Sequence, residues 1–214
     1  MTLLSETELR AKIGAAVDAA GLRPVSEGTA TRLGIYIALI QRWNARVNLT
    51  AIRDEGAIID RHLVEAVFVS ERLPASVRTL LDFGSGAGLP GIPIAICRPD
   101  VQVTLAESQN KKAAFLMEAV RVLDLSSTVY SGRAEELKNR FDCVILRAVD
   151  RMAASARAAE SLVAPGGWLA LMTTENGLVK LQAAASADFK WARPQRLPCG
   201  ERRLLALAQR QDTR

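Results

Sequence analysis

Apolar positions recur at intervals of three and four along the first third of the chain, then give way to short unbroken runs separated by glycine turns. Between Ser5 and about Leu73 the spacing predicts three helices. Ser5-Glu6-Thr7-Glu8 reads as a capping box with its acids in the first turn, and Gly21 ends that helix. Leu33, Tyr36, Ile37, Ile40, Trp43 and Val47 form the stripe of a second helix, broken at Asn48-Leu49-Thr50. Asp54 caps a third, whose inner face carries Ile58, Leu63, Ala66, Val67 and Leu73. Pro74-Ala75-Ser76 marks a boundary between a helical extension, 1–74, and a second domain, 75–214.

Beyond that boundary strands alternate with helices. Residues 79–83 are a buried strand that runs into Gly84-Ser85-Gly86-Ala87-Gly88, and a short helix with Ile92, Ile94 and Ile96 follows. A strand at 102–107 precedes a helix at 110–124 whose inner face is Ala113, Leu116, Met117, Val120 and Leu123. Strands at 128–131, 141–147 and 168–172 are separated by short helices near 134–138 and 153–162. The tail reads as two further strands, 189–197 and 203–209, antiparallel at one sheet edge. This alternation predicts an α/β protein, a mostly parallel sheet with helices on both faces.

Length and composition narrow the class. At 214 residues, folding buries roughly 70% of the unfolded surface, enough for an ordinary apolar core. With 49% hydrophobic and 24% charged residues the chain is globular rather than disordered. No apolar run approaches the ~18 residues of a membrane span, and Glu6, Glu8 and Arg10 stand where an export signal would be apolar. Cys97, Cys143 and Cys199 lie far apart, which fits a reducing cytoplasm. His62 is the single histidine, so multi-histidine metal sites are excluded, and no G-x-S-x-G marks a hydrolase. A net charge of +5 and a pI near 9.4 point to a polyanionic partner.

The glycine loop carries the chemistry. Glycines let bare backbone N–H groups approach a ligand, and here the arrangement is Asp82-x-Gly84-x-Gly86-x-Gly88. Glu107 ends the next strand, where a carboxylate can take both hydroxyls of a ribose. An acid beside the loop disfavours a pyrophosphate and favours a ligand carrying an ammonium or sulfonium. S-adenosyl-L-methionine carries both and no phosphate, so it is preferred to NAD. The plainer reading is a tight packing corner between strand and helix.

The stretch from Asp82 to Glu107 resembles the motifs of class I S-adenosylmethionine-dependent methyltransferases. The longer string from Leu81 to Pro93 is similar to that of the RsmG (GidB) family, bacterial enzymes that methylate guanine N7 in small-subunit ribosomal RNA. The resemblance extends to Trp43-Asn44-x-x-Val47-Asn48-Leu49-Thr50-Ala51, Arg61-His62-Leu63, Gly132-Arg133-Ala134-Glu135 and Arg147-Ala148. It implies a Rossmann-like class I methyltransferase fold with an N-terminal helical extension, and 16S ribosomal RNA, in the small subunit or an assembly intermediate, as partner of a monomer. It also implies that Gly84 and Leu89 line the cofactor pocket, that Ala134 and Glu135 meet the adenine, and that Arg147 sits at the mouth. Two departures stand out: Thr173-Thr174 replaces a Lys-Gly common in the family, and Glu107 replaces the commoner Asp.

After the fourth strand the chain has Arg147-Ala148-Val149-Asp150, without the [DN]-P-P-[FYW] of amino-group methyltransferases. Cys97 and Cys199 are in unsuitable settings for a carbon-5 nucleophile, and Cys143 reads as strand core. A ring nitrogen with a free lone pair, such as guanine N7, needs neither device, only alignment. Arg147 is the expected catalytic residue, hydrogen-bonding guanine O6 or the methionine carboxylate; its plainer role is an ion pair with Asp142 or Asp150. Glu135 reads equally as an adenine contact or a solvated acid at a helix start. RNA contact is expected from Arg42, Arg46, Arg53, Arg61, Lys111, Lys112, Arg202 and Arg203. Tyr36 and Trp43 read as core rather than base-stacking residues, and His62 as a local hydrogen-bonding residue. Methylation of another RNA site or a small molecule, and a non-catalytic nucleotide-binding regulator, are the alternative functions.

Overall fold

The computed structural model describes residues 5–51, 54–147, 152–198 and 202–211. Arg53, Ala148, Val149, Asp150 and Cys199, all invoked above, lie outside them. Helix α1 (Glu6–Ala19) begins as its sequence dictates: Ser5 Oγ accepts the Glu8 N–H, and Glu8 Oε2 accepts the Ser5 N–H at 2.8 Å. Helix α2 (Glu27–Asn44) starts at a Ser26 cap and ends earlier than its apolar stripe predicts. The reason is Asn44, whose Oδ1 accepts the N–H groups of Leu49 and Thr50 while its Nδ2 donates to the Thr50 carbonyl. That local competition turns the chain before Val47.

Asp54 caps the third helical stretch through the Ala57 N–H, as expected. The stretch has three parts: α3 (Glu55–Ile58), a π-helical turn (Ile59–Leu63) and α4 (Val64–Arg72). The π turn was not legible in the sequence.

The sheet has the order β3-β2-β1-β4-β5-β8-β6, with β7 also paired to β8. Strands β1 (Thr79–Phe83), β2 (Gln102–Ala106), β3 (Thr128–Tyr130), β4 (Phe141–Arg147) and β5 (Val163–Thr174) are parallel. Strand β8 (Arg203–Arg210) runs antiparallel between β5 and the short strands β6 (Phe189–Trp191) and β7 (Gln195–Arg196). The tail therefore differs from expectation. Its first strand is broken into two at Arg193-Pro194, where proline lacks the ladder N–H, while the antiparallel pairing at one end of the sheet is as expected.

Side chains alternate between two cores, one on each face. Leu80, Val103, Leu105, Cys143 and Ile145 face a core shared with the N-terminal helices, α5 (Gly91–Cys97) and α6 (Asn110–Val122). Leu81, Phe83, Val144, Leu146 and Leu171 face a second core closed by α7 (Met152–Leu162) and α8 (Glu175–Ala184). Helix α8 was missed; its signals are the Thr174 cap on the Gly177 N–H and the buried pair Leu178 and Leu181. On α6 the expected inner face is corrected. Met117 is 50% exposed, and Phe115 and Ala119 are buried instead. Trp43 packs edge-on against Phe115 at 5.8 Å and donates to Glu118, a core role as read.

Candidate active site

The strand order reverses between β1 and β4, and at such a switch point the loops leaving adjacent strands diverge and open a crevice at their carboxyl ends. Here that crevice has a volume of 1010 Å³, with the glycine loop, Glu107 and Arg147 among its walls. Gly84, Gly86 and Gly88 all hold the left-handed conformation (φ +75°, +58° and +81°) that turns the chain back on itself after β1.

Three side chains pin this loop. Glu107 Oε2 accepts the Gly86 N–H at 2.9 Å, and its Oε1 accepts the Gln109 N–H at 2.8 Å. Asp82 Oδ2 accepts the Gly91 N–H at 3.0 Å. The fully buried Tyr36 reaches across from α2 and donates to the Ala87 carbonyl at 2.5 Å. Tyr36 was read as core alone, and its hydroxyl ties the helical extension to the loop. Replacing it with Phe leaves that carbonyl unsatisfied, which costs about 1–3 kcal/mol. A thermal melt checks this: Tyr36→Phe is expected to unfold several degrees below wild type, and unchanged stability contradicts the pinning role.

Burial raises the Asp82 carboxyl to about 7, against the Gly91 and Ser85 hydrogen bonds and the Arg147 charge, which lower it. A carboxyl whose folded value exceeds its unfolded one stabilises the fold fully below the unfolded value, and that contribution is lost as pH rises through the folded value. Asp82→Asn, which does not titrate, is therefore expected to gain in stability on wild type between about pH 4 and 7. Denaturant melts across that range check the sign; a constant difference contradicts it.

The expected site residues are distributed in three ways. Gly84, Gly86, Leu89, Glu107 and Arg147 line the cleft. Asp82 and Gly88 are buried and do not line it. Ala134 is buried and Glu135 exposed on the 3₁₀ turn Ala134–Glu136; of that corner Arg133 lines the cleft. The expectation that Asp82 and Glu107 set the charge of the pocket is therefore corrected. Glu107 is the one acid among the described lining residues, against four cations, Lys112, Arg133, Arg147 and Arg203.

Arg147 ends β4 with its side chain only 9% exposed. Its Nη2 contacts His62 Nδ1 and lies 3.5 Å from Glu65 Oε2, which also meets Arg203 Nη1 at 3.1 Å. Among the described residues the ion-pair partner is Glu65, while Asp142 accepts the backbone N–H groups of Arg78 and Thr79. Because guanidinium only donates, His62 Nδ1 accepts and the ring proton sits on Nε2. Burial, with Arg147 and Arg203 nearby, lowers the His62 value to about 3, so the ring is neutral at working pH. His62 is more than a local bond, then: it lines the cleft against Arg147.

Sequence reasoning missed Glu65, and it placed Arg203 on an RNA-contacting rim rather than inside the cleft. The signal for Glu65 was an acid within the otherwise apolar run 63–69. Burial pushes the thiols of Cys97 and Cys143 up to about 11 and about 12, and neither residue lines the cleft.

The family model of GidB, rRNA small subunit methyltransferase G, matches residues 29–204. The chain belongs to the GidB family. It is 41% identical over 167 residues to a ribosomal RNA small subunit methyltransferase G of Neisseria meningitidis serogroup B, covering 77% of this chain and 80% of the relative. It is 40% identical over 174 residues to that of Xanthomonas oryzae pv. oryzae, covering 79% and 81%. Among solved structures, a ribosomal protein L11 methylase from Lactobacillus delbrueckii subsp. bulgaricus superposes with a TM-score of 0.59 at 14% identity, over 72% of this chain and 80% of that one. At that identity the likeness shows the class I methyltransferase fold alone. Against the common GidB pattern, Thr173-Thr174 has a structural explanation: Thr173 is a buried wall residue of the cleft, and Thr174 caps α8.

Proposed function

We propose that the chain transfers the methyl group of S-adenosyl-L-methionine to N7 of a guanine in 16S ribosomal RNA, acting as a cytoplasmic monomer on the small subunit or an assembly intermediate. One observation carries the reading: a GidB-family match over residues 29–204 that includes every described wall residue of the switch-point cleft. The helical part, 1–74, and the part from 75 onward act together, since Tyr36, His62 and Glu65 come from the first and the glycine loop and Arg147 from the second.

The residues present fit this cofactor. Arg147 Nε is buried without a hydrogen-bond partner, a donor suited to a carboxylate or a guanine O6. Glu107 spends one lone pair on each oxygen and retains others for ribose hydroxyls. Gly84, Gly86 and Leu89 offer the close backbone approach, with the buried Asp82 and Gly88 supporting them, and Ala134 and Glu135 are assigned to the adenine. When bound, S-adenosylmethionine supplies an electrophilic methyl group on cationic sulfur. The protein has only to align the acceptor: guanine N7 attacks through a lone pair and loses no proton, which agrees with a neutral His62 beside Arg147.

RNA phosphates are assigned to Lys112 and Arg133 at the cleft and to the exposed Arg46, Arg61, Lys111 and Arg202 outside it. Arg42 is engaged by Glu118, and Arg203 lies inside the cleft against Glu65 rather than on a rim. Replacing Lys112 or Arg133 with Ala is expected to weaken RNA binding and to lower the slope of log K against log salt by about 1 each. Filter binding across a salt series checks this, and an unchanged slope contradicts the phosphate role. The reading itself is tested by incubating the protein with methyl-labelled S-adenosylmethionine and 16S RNA or small subunits from cells lacking this enzyme. Label in N7-methylguanosine supports it; label elsewhere, or none, overturns it.

A further inference from the structure

The carboxylate of Glu65 is fully buried, yet only half of it is used. Oε2 meets Arg147 at 3.5 Å and Arg203 at 3.1 Å, while Oε1 has no hydrogen-bond partner. A buried ion pair is weak grounds for stability, because removing charge from water costs several kcal/mol, and an orphaned oxygen adds to that cost. Neither arginine is placed by its own strand alone. Arg147 is the last residue of β4 and Arg203 the first of β8, each with a long flexible stem. These strands are separated by β5, and what bridges them is Glu65, projecting from the first turn of α4.

Directly before α4 lies the π-helical turn, one of the places where helices deviate to present functional side chains. It carries His62, which contacts the same Arg147 nitrogen. One helix thus supplies both contacts on Arg147 Nη2, while Nε is left unpaired.

We propose that Glu65 is a positioning residue for methyl transfer. It clamps Arg147 and Arg203 side by side at the cleft floor, fixing the Arg147 guanidinium so that its remaining donors meet the ligand. This rests on the reading of the cleft as a methyl-transfer site. The role accounts for a half-satisfied acid in an otherwise apolar helix face, and it links the helical segment to catalysis through a side chain that does not line the cleft.

The test compares Glu65→Gln, which keeps an acceptor and removes the charge, with Glu65→Met, which removes both at similar volume. Methyl transfer to 16S RNA is measured in each, alongside melting temperature and circular dichroism. We expect kcat to fall about tenfold in Glu65→Gln and about a hundredfold in Glu65→Met, with the RNA KM within about threefold of wild type. In an Arg147→Lys background, where the fork is already lost, Glu65→Met should lower kcat by no more than about threefold further.

An unchanged kcat in Glu65→Met, or an equal fall in both backgrounds, overturns the proposal. Should Glu65→Met not fold, Glu65→Gln decides alone, and unchanged turnover there overturns it. Wild-type protein that transfers no label to the RNA would instead count against the functional reading, so the two failures are distinguishable.

Discussion

Replacing Arg147 with Ala is expected to lower kcat/KM for methyl transfer by about a thousandfold, the loss typical of removing a preorganised charged donor from a water-poor site. The side chain is almost enclosed, ends the strand beside the switch point and keeps Nε unpaired. The fold should survive. Glu65 retains Arg203, and the Glu65 carboxyl, pushed up to about 7 by burial against the pull of both arginines, accommodates the lost partner by taking up a proton. A loss of about 1–3 kcal/mol is expected in a denaturant melt.

The variant also separates the two roles open to Arg147. If it holds the methionine carboxylate, S-adenosylhomocysteine binding weakens along with turnover; if it holds guanine O6, cofactor affinity persists and only turnover on RNA falls. Wild-type turnover with Arg147→Ala would contradict both.

Gly91→Ala is expected to be the most damaging small substitution. A Cβ there would lie 2.4 Å from Leu105 Cδ2 and 2.5 Å from Asp82 Oδ2. Both neighbours are buried in β1 and β2, so neither can give way without shifting the sheet. The clash also breaks the Asp82 bond to the Gly91 N–H that seats the loop. The expected cost is about 3 kcal/mol, a fall of roughly 6–12 °C in melting temperature, with weakened S-adenosylhomocysteine binding. Gly14→Ala is the control: nothing lies within 4 Å of the added methyl in the interior of α1, and stability should hold or rise by up to about 1 kcal/mol. Equal behaviour of the two variants in scanning calorimetry would contradict the packing argument.

Local rules made most of the fold legible. The capping box at Ser5, the left-handed Gly21 and the short apolar runs of β1 and β4 follow from chemistry acting over a few residues, and they stand where the sequence places them. What local pattern could not give was competition and distance. Asn44 ends α2 by bonding residues five and six further on, and Met117 lost its inner place to Phe115, which meets Trp43 across the helix interface.

The site divides similarly. The glycine loop and Glu107 announce themselves because one strand-loop-helix unit and its neighbour build that wall. Glu65, Arg203 and the second role of Tyr36 depend on contacts spanning 138 residues in one case and 51 in another, which no spacing encodes. Electrostatics was the weakest inference. Burial, invisible in the sequence, pushes Asp82 up to about 7 and leaves the cleft wall predominantly cationic.

Isothermal titration of the purified protein with S-adenosylhomocysteine and, separately, with NAD addresses the heart of this account. Saturable one-to-one binding of S-adenosylhomocysteine, weakened in Gly91→Ala and not matched by NAD, is the predicted result. Tight binding of NAD with no heat from S-adenosylhomocysteine would contradict the assignment of the cleft to a methyl donor.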